Sequence, residues 1–443
     1  MLEVYHQIFG RGIVIDDRYR RTQFLVKFEK GFTLWIHSSS LLLLRRYERR
    51  VAPIEVRPAK GGNFQARRMI EAFRLGVVPY YGVEGFTFGR RREIRRVKEE
   101  FENFKRKGGN IFLIEGGYGT GKTHLIDYIS LYALKNRFAI SRIELDPFDV
   151  APYKPRRVYR EIVRNLSFIR DGTTYDFKGL LKLSRGIKLP KPHLFFSKAI
   201  DLLKRDENEA LLWDWIEGEE IPREYLNFWH KWKLPVILNH RSAVDIISYL
   251  LSGLGYIVKK AGVNGLVLLI DEGETLFHLY SKITGEFGFS LYKGLVHTTL
   301  GDKRLLKFKL KRFTDLGIGV LDEDGFVHSG VRATPYLYKT PSGIFLILSI
   351  TPTFSLYYEK VSSLFPSRKR ISLGNLEREE YEKMFDKIIK IYAKAYKTEF
   401  ASDKIERIKK RVMPNYRKGL RPFLKSTIEE LDILRHYGDT PSP

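Results

Sequence analysis

At 443 residues the chain has room for two or three domains, and its 43% hydrophobic content can fill their cores. Lys and Arg total 78 against 52 Asp and Glu, a formal net charge of +26; balanced surface ion pairs do not explain such an excess, which points to a polyanionic partner, DNA foremost. Cysteine is absent, which excludes disulfides, thiolate metal sites and thiol nucleophiles and leaves the chemistry to oxygen and nitrogen groups.

The opening MLEVYHQIFGRG lacks the charged, apolar and small-residue order of a signal peptide. No apolar run approaches the roughly 18 residues that span a bilayer, so a cytoplasmic protein without a membrane partner is expected. Residues 4 to 44 read as short strands: Ile13 to Ile15, then Phe24, Val26 and Phe28, then Phe32, Leu34 and Ile36, broken at Asp16-Asp17 and Lys30-Gly31. A small β-barrel over residues 1–50 is expected. The segment HQIFGRGIVIDD, followed by FLVKFEKGFTLWI, resembles the Tudor or SH3-like module at the tail of UvrD-type helicases. That resemblance implies a docking module for protein or nucleic acid.

Residues 51–65, rich in Pro, Gly and Arg, read as a linker. An α/β P-loop ATPase core is expected over 66–370, with a helical insertion around 166–262, and a helical lid over 371–443. From Ala66 a helix is predicted with Met69, Ile70, Phe73 and Leu75 on one face, stopped by Gly76 and Pro79. A charged helix spans Arg90 to Lys107, and Ile111 to Ile114 form an apolar strand.

Directly after that strand, Gly116-Gly117-Tyr118-Gly119-Thr120-Gly121-Lys122-Thr123 fits G-x-x-x-x-G-K-[ST], with the helical run THLIDYISLYAL behind it. Glycines let consecutive backbone N–H groups wrap phosphates at a helix N-terminus, where the dipole favours negative charge. Lys122 is expected on the β- and γ-phosphates of ATP and the Thr123 hydroxyl on Mg2+. Hydrolysis also needs a carboxylate for the metal and a base at a neighbouring strand end. Leu266-Val267-Leu268-Leu269-Ile270-Asp271-Glu272 reads as a buried parallel strand that supplies both, Asp271 for magnesium and Glu272 as general base. Glu274 is a further acid in the same turn. A third apolar strand, Ile344 to Ile350, ends at Thr351-Pro352-Thr353, where either Thr351 or Thr353 is placed to orient the attacking water.

The run RRMIEAFRLGVVPYYGVEGFTFGRRREI, with VYREIVRNL, LIDEGETL, ISLGNLEREEYEKMF and RPFLKSTIEELD farther on, resembles the ATP-binding subunit of BREX phage-defence systems, patchwise over 66–436. The resemblance implies an AAA+-like class, in which Phe88, Gly89 and Arg90 line the adenine pocket and a helical lid starts within Leu376 to Tyr396. It also implies a lid arginine at Arg421, an arginine finger at Arg368 or Arg370 acting on a neighbouring copy in a homo-oligomer, and a helicase partner. Three basic runs, Arg45 to Arg68, Lys303 to Phe313 and Lys404 to Val412, are candidate phosphate tracks. In the second, a strand would present Lys307, Lys309 and Lys311 on one face. A nucleotide-gated switch or scaffold with slow turnover is the alternative to an ATP-driven, DNA-associated enzyme in repair or defence.

Overall fold

The computed structural model describes residues 2–6, 10–18, 23–28, 33–37, 41–46, 62–187, 189, 191–204, 209–219, 237, 244–279, 281–306 and 335–438. The chain divides into two compact units, Met1–Ala66 and Arg67–Pro443. The face Lys307, Lys309 and Lys311, and residues 47–61 of the first basic run and linker, lie outside the described residues.

The first unit holds a five-stranded antiparallel sheet. Its strands are β1 (Leu2–His6), β2 (Gly10–Arg18), β3 (Gln23–Phe28), β4 (Thr33–His37) and β5 (Leu41–Arg46), in spatial order β4-β3-β2-β1-β5. Along β3, Val26 and Phe28 are buried and Lys27 between them is exposed, the alternation of a sheet with one covered face.

The second unit is built on a seven-stranded sheet. Helix α1 (Gly62–Arg74) leads into it, with Ala66, Ile70 and Phe73 buried. Leu75, expected on that face, lies past the helix end and is exposed. In chain order there follow α2 (Arg91–Lys107), β6 (Gly109–Gly116), α3 (Lys122–Lys135), β7 (Ala139–Glu144) and α4 (Pro155–Arg164). The hairpin β8 (Leu166–Arg170) and β9 (Thr173–Asp176) comes next, then α5 (Phe177–Leu183), α6 (Phe196–Leu203), α7 (Glu209–Ile216) and α8 (Val244–Lys260). The chain continues through β10 (Leu266–Asp271), α9 (Lys282–Leu300), β11 (Ile344–Ile350), α10 (Leu356–Ser363) and β12 (Arg370–Leu373). Three helices close it: α11 (Arg378–Tyr396), α12 (Ser402–Val412) and α13 (Leu420–Tyr437).

The strand order is β12-β6-β11-β10-β7-β8-β9. The first five are mutually parallel, and β8 and β9 add antiparallel at one edge. Their apolar runs read continuously because both faces are covered. Ile111, Leu113, Leu266, Leu268, Ile344 and Leu346 point into one core. Phe112, Ile114, Val267, Leu269, Phe345 and Ile347 point into the other, under Phe101 and Phe104 of α2 and Leu125 and Ile129 of α3. Burying each such side chain contributes about 1.5–3 kcal/mol.

Two expectations are corrected. The insertion around 166–262 is not helical from its start, because residues 166–176 form a hairpin that extends the sheet. Asp171 and Gly172 both sit at positive φ, 51° and 76°, the backbone of a two-residue turn whose Asp-Gly signature outweighs helical periodicity over so short a span. The lid boundary also moves, since residues 370–373 pair with β6 as the edge strand and the terminal helices begin at Arg378. Trp213 and Trp215 of the insertion are core residues, both buried.

His193 packs inside this insertion, stacked on Tyr249 with ring centroids 4.3 Å apart. Its Nδ1 accepts from the backbone N–H of Phe195 and Phe196. Burial above all, with the Lys191 charge, lowers its pKa to about 3. The unfolded chain therefore takes up a proton below about pH 6.5 that the folded chain refuses, so this contribution is complete above that pH and falls by about 1.4 kcal/mol per unit below it. Between pH 6.5 and 5 the wild type is expected to lose about 2 kcal/mol more than His193→Asn, whose side-chain oxygen still accepts from the two amides. Chemical denaturation at both pH values measures this, and equal losses in the two proteins would contradict it.

Candidate nucleotide site

Parallel pairing brings the strand ends together, with Asp271 opposite Glu144, Ile350 opposite Glu115 and Leu373 opposite Gly116. The loop between β6 and α3 opens there. Gly119 and Gly121 take φ of +78° and +91°, and nothing lies within 4 Å of a Cβ at either position, so backbone conformation rather than space calls for glycine. The Thr120 hydroxyl donates to the Gly117 carbonyl at 2.8 Å and braces the turn.

Lys122 is buried. Its Nζ donates to Gly116 O at 3.0 Å and to Thr351 Oγ1 at 2.8 Å, and lies 3.9 Å from Glu274 Oε1. Because β11 lies between β6 and β10, Thr351 at its end reaches across to the lysine. Thr353 instead accepts from the Ser355 N–H.

Thr123 Oγ1 donates to Asp271 Oδ2 at 3.0 Å, so the hydroxyl and carboxylate expected on one magnesium ion are already adjacent. Asp271 is buried, and its Oδ1 accepts from Ser349 Oγ at 2.8 Å and from the Glu272 N–H at 3.1 Å. Ser349 escaped the sequence reading, although a lone serine inside the apolar strand IFLILSI was the signal.

Glu272 has φ 56° and ψ 37°, a left-handed backbone that costs a non-glycine residue about 1–2 kcal/mol. The turn it makes is locked by the Thr275 N–H donating to Glu272 O at 3.0 Å. Burial, then the neighbouring Glu274 and Asp271 carboxylates, hold the Glu272 carboxyl above the ordinary carboxylate range, with Lys122 opposing.

Glu274 accepts the Thr351 hydroxyl through Oε1, while its Oε2 is buried without a hydrogen-bond partner. No cluster of three or more acidic or imidazole ligands holds a metal by itself among the described residues; the Thr123 hydroxyl and the Asp271 carboxylate are a pair of hard oxygens that fits a divalent cation whose other ligands are phosphates and water.

The residues ahead of α2 brace this site. Arg90 is buried, and its Nη2 donates to Thr120 O and to Gly374 O, both at 2.7 Å. It thereby ties the phosphate loop to the chain leaving β12. A Cβ on Gly89 would meet Leu376 Cδ2 at 2.8 Å and Glu380 Cγ at 3.0 Å, so α11 and its approach pack directly on that glycine. Phe88 meets Phe86 edge to face. His124, next to Thr123, shares a 2.9 Å hydrogen bond with Thr87 Oγ1, and burial lowers its pKa to about 4.

The candidate arginines separate. Arg370 turns onto its own chain, its guanidinium donating to Phe365 O and Ser362 O. Lys369 is drawn inward to Glu100 and to Asn110 Oδ1. Arg368, directly before these anchors, is exposed, and its guanidinium has no hydrogen bond or ion pair among the described residues. The stem of Arg421 lies over Gly76, and its guanidinium likewise has no such partner among the described residues.

Of the basic runs, Lys404 to Val412 forms most of α12 and spends charge internally: Arg407 pairs with Asp403, Lys409 with Asp386 and Arg411 with Glu430. A groove of about 500 Å³ between α2 and β12 is lined by Arg92, Arg95, Arg96 and Arg370 together with Glu93 and Glu99. Arg91, Arg92 and Arg95 have no carboxylate partner among the described residues. No helix among the described residues is long and apolar enough to cross a membrane.

No curated protein matches the chain. Residues 63–180, from α1 through the phosphate loop into α5, match the family described as BREX system ATP-binding protein BrxC/D, a span of just over a quarter of the chain that stops short of Asp271 and Thr351.

Proposed function

We propose that the chain is a magnesium-dependent ATPase of phage defence that works on DNA. The hydrogen bond from Thr123 to Asp271, beside Lys122, carries this reading, because it joins the metal hydroxyl of one motif to the carboxylate of another 148 residues away. The name of the matched family supports ATP as the nucleotide.

In this reading Lys122 moves from Thr351 onto the β- and γ-phosphates, and the amides at the start of α3 face them. Thr123 and Asp271 hold magnesium, which when bound neutralises charge on the phosphate oxygens. Glu272 takes a proton from the attacking water and Thr351 orients it. The bond from the water oxygen to the γ-phosphorus forms as the bridging bond to the ADP oxygen breaks. Phe88 and Gly89 contribute to the adenine pocket, and Arg90 reports the state of the phosphate loop to the lid.

Arg368 serves a neighbouring copy in a homo-oligomer, and Arg421 a lid role. The net charge of +26 and the arginine groove support DNA as polyanion. The five-stranded sheet of residues 2–46 is a Tudor or SH3-like docking module, and a helicase is the expected partner in defence or repair.

The test is ATP turnover with and without single- and double-stranded DNA, alongside DNA binding across a salt series. Turnover stimulated by DNA is expected, with affinity falling steeply between about 50 and 200 mM salt as phosphate counterions are released. Salt-insensitive binding would reject the polyanion argument. Negligible turnover with and without DNA would favour a nucleotide-gated switch.

A further inference from the structure

Glu274 belongs neither to the magnesium pair nor to the base, yet it is buried at the centre of the site. Its Oε1 accepts the Thr351 hydroxyl proton and lies 3.9 Å from Lys122 Nζ, while Oε2 is buried without a partner. An unsatisfied buried carboxylate oxygen is costly and persists only where its surroundings over-determine it. The residues on either side are fixed. Gly273 O accepts the buried Tyr292 hydroxyl at 2.9 Å, and Thr275 Oγ1 donates to Leu145 O at 3.2 Å.

We propose that Glu274 is a positioning residue for the attacking water, acting through Thr351. A threonine hydroxyl carries one proton and two lone pairs. Glu274 takes the proton, so the oxygen presents a lone pair to the site, where Lys122 fills it at 2.8 Å. When Lys122 turns to the phosphates, that lone pair accepts one O–H of the water, whose other proton passes to Glu272. Without an acceptor at position 274 the hydroxyl rotates, and its own proton competes for phosphate oxygens. This rests on the ATPase reading and adds to it the group that sets the polarity of Thr351.

The experiment measures kcat and KM for wild type, Glu274→Leu, Glu274→Gln, Thr351→Val and the double variant Glu274→Leu with Thr351→Val. Glu274→Leu is expected to lower kcat about tenfold or more with KM nearly unchanged, and the double variant to be no slower than Thr351→Val alone. Glu274→Gln, whose amide carbonyl still accepts the hydroxyl proton, is expected to keep most of the activity. Losses that multiply in the double variant, a Gln variant as slow as the Leu variant, or a Leu variant at wild-type kcat would each overturn the role. Should Glu274→Leu fail to fold, Glu274→Ala is read by the same criteria. Wild type without turnover overturns the ATPase reading itself, an outcome distinct from any of these.

Discussion

Glu272→Gln is expected to lower turnover at least a hundredfold while ATP affinity stays near that of wild type. Glutamine keeps the size and the backbone turn of Glu272 but cannot accept a proton, and loss of a positioned general base typically costs about 10²- to 10⁴-fold. Burial and two neighbouring carboxylates raise the Glu272 carboxyl, which brings its basicity toward what proton abstraction requires. The Glu272 side chain makes no hydrogen bond to the phosphate cradle of Gly116 to Thr123 among the described residues, so binding measured with a fluorescent ATP analogue is expected to persist. A Gln variant that turns over within a few-fold of wild type would move the base elsewhere in the acidic cluster.

Arg368→Ala is expected to slow turnover by about a thousandfold or more, the scale of an arginine finger, while Arg370→Ala acts mainly on stability. The two side chains differ in their partners. Arg370 satisfies Phe365 O and Ser362 O, whereas Arg368 projects from a turn pinned by Lys369, by Arg370 and by Arg96 on its own carbonyl. A pinned turn presents its exposed guanidinium with little ordering cost on docking.

On the proposal that Arg368 acts on a neighbouring copy's nucleotide, mixing Arg368→Ala with Glu272→Gln subunits is expected to restore part of the turnover that each lacks alone. In the mixed assembly an intact Glu272 site receives an intact Arg368. Absence of rescue in an assembly shown to be mixed would place Arg368 outside the reaction.

Much of the candidate site is legible in the sequence because its parts are contiguous motifs whose chemistry dictates their residue types. Gly116 to Thr123 and the strand ending at Asp271-Glu272 needed no tertiary information to be singled out. The unpartnered Glu274 oxygen and the Ser349 contact to Asp271 were not legible, since both depend on which strand separates β6 from β10 and on the side-chain directions that follow. The difference between Arg368 and Arg370 is likewise invisible in SRKR, where two arginines two positions apart differ only in the partners the fold gives them. The hairpin at residues 166–176 was within reach, because Asp171-Gly172 marks it, but strands of five and four residues carry too few repeats for periodicity to outvote neighbouring helices. Arg90, expected along the base pocket, also spends its guanidinium on two carbonyls, contacts set by the fold and not by its neighbours in sequence.

Arg74 at the end of α1 grips Asp432 of α13 through two hydrogen bonds of 2.9 and 2.8 Å, with the Tyr392 hydroxyl on the same carboxylate at 2.6 Å. The clasp joins residues 358 positions apart, so the chain-closure entropy is met only once the sheet and insertion between them are in place. The terminal helices are therefore expected to dock late in folding, and the clasp to be an early point of opening.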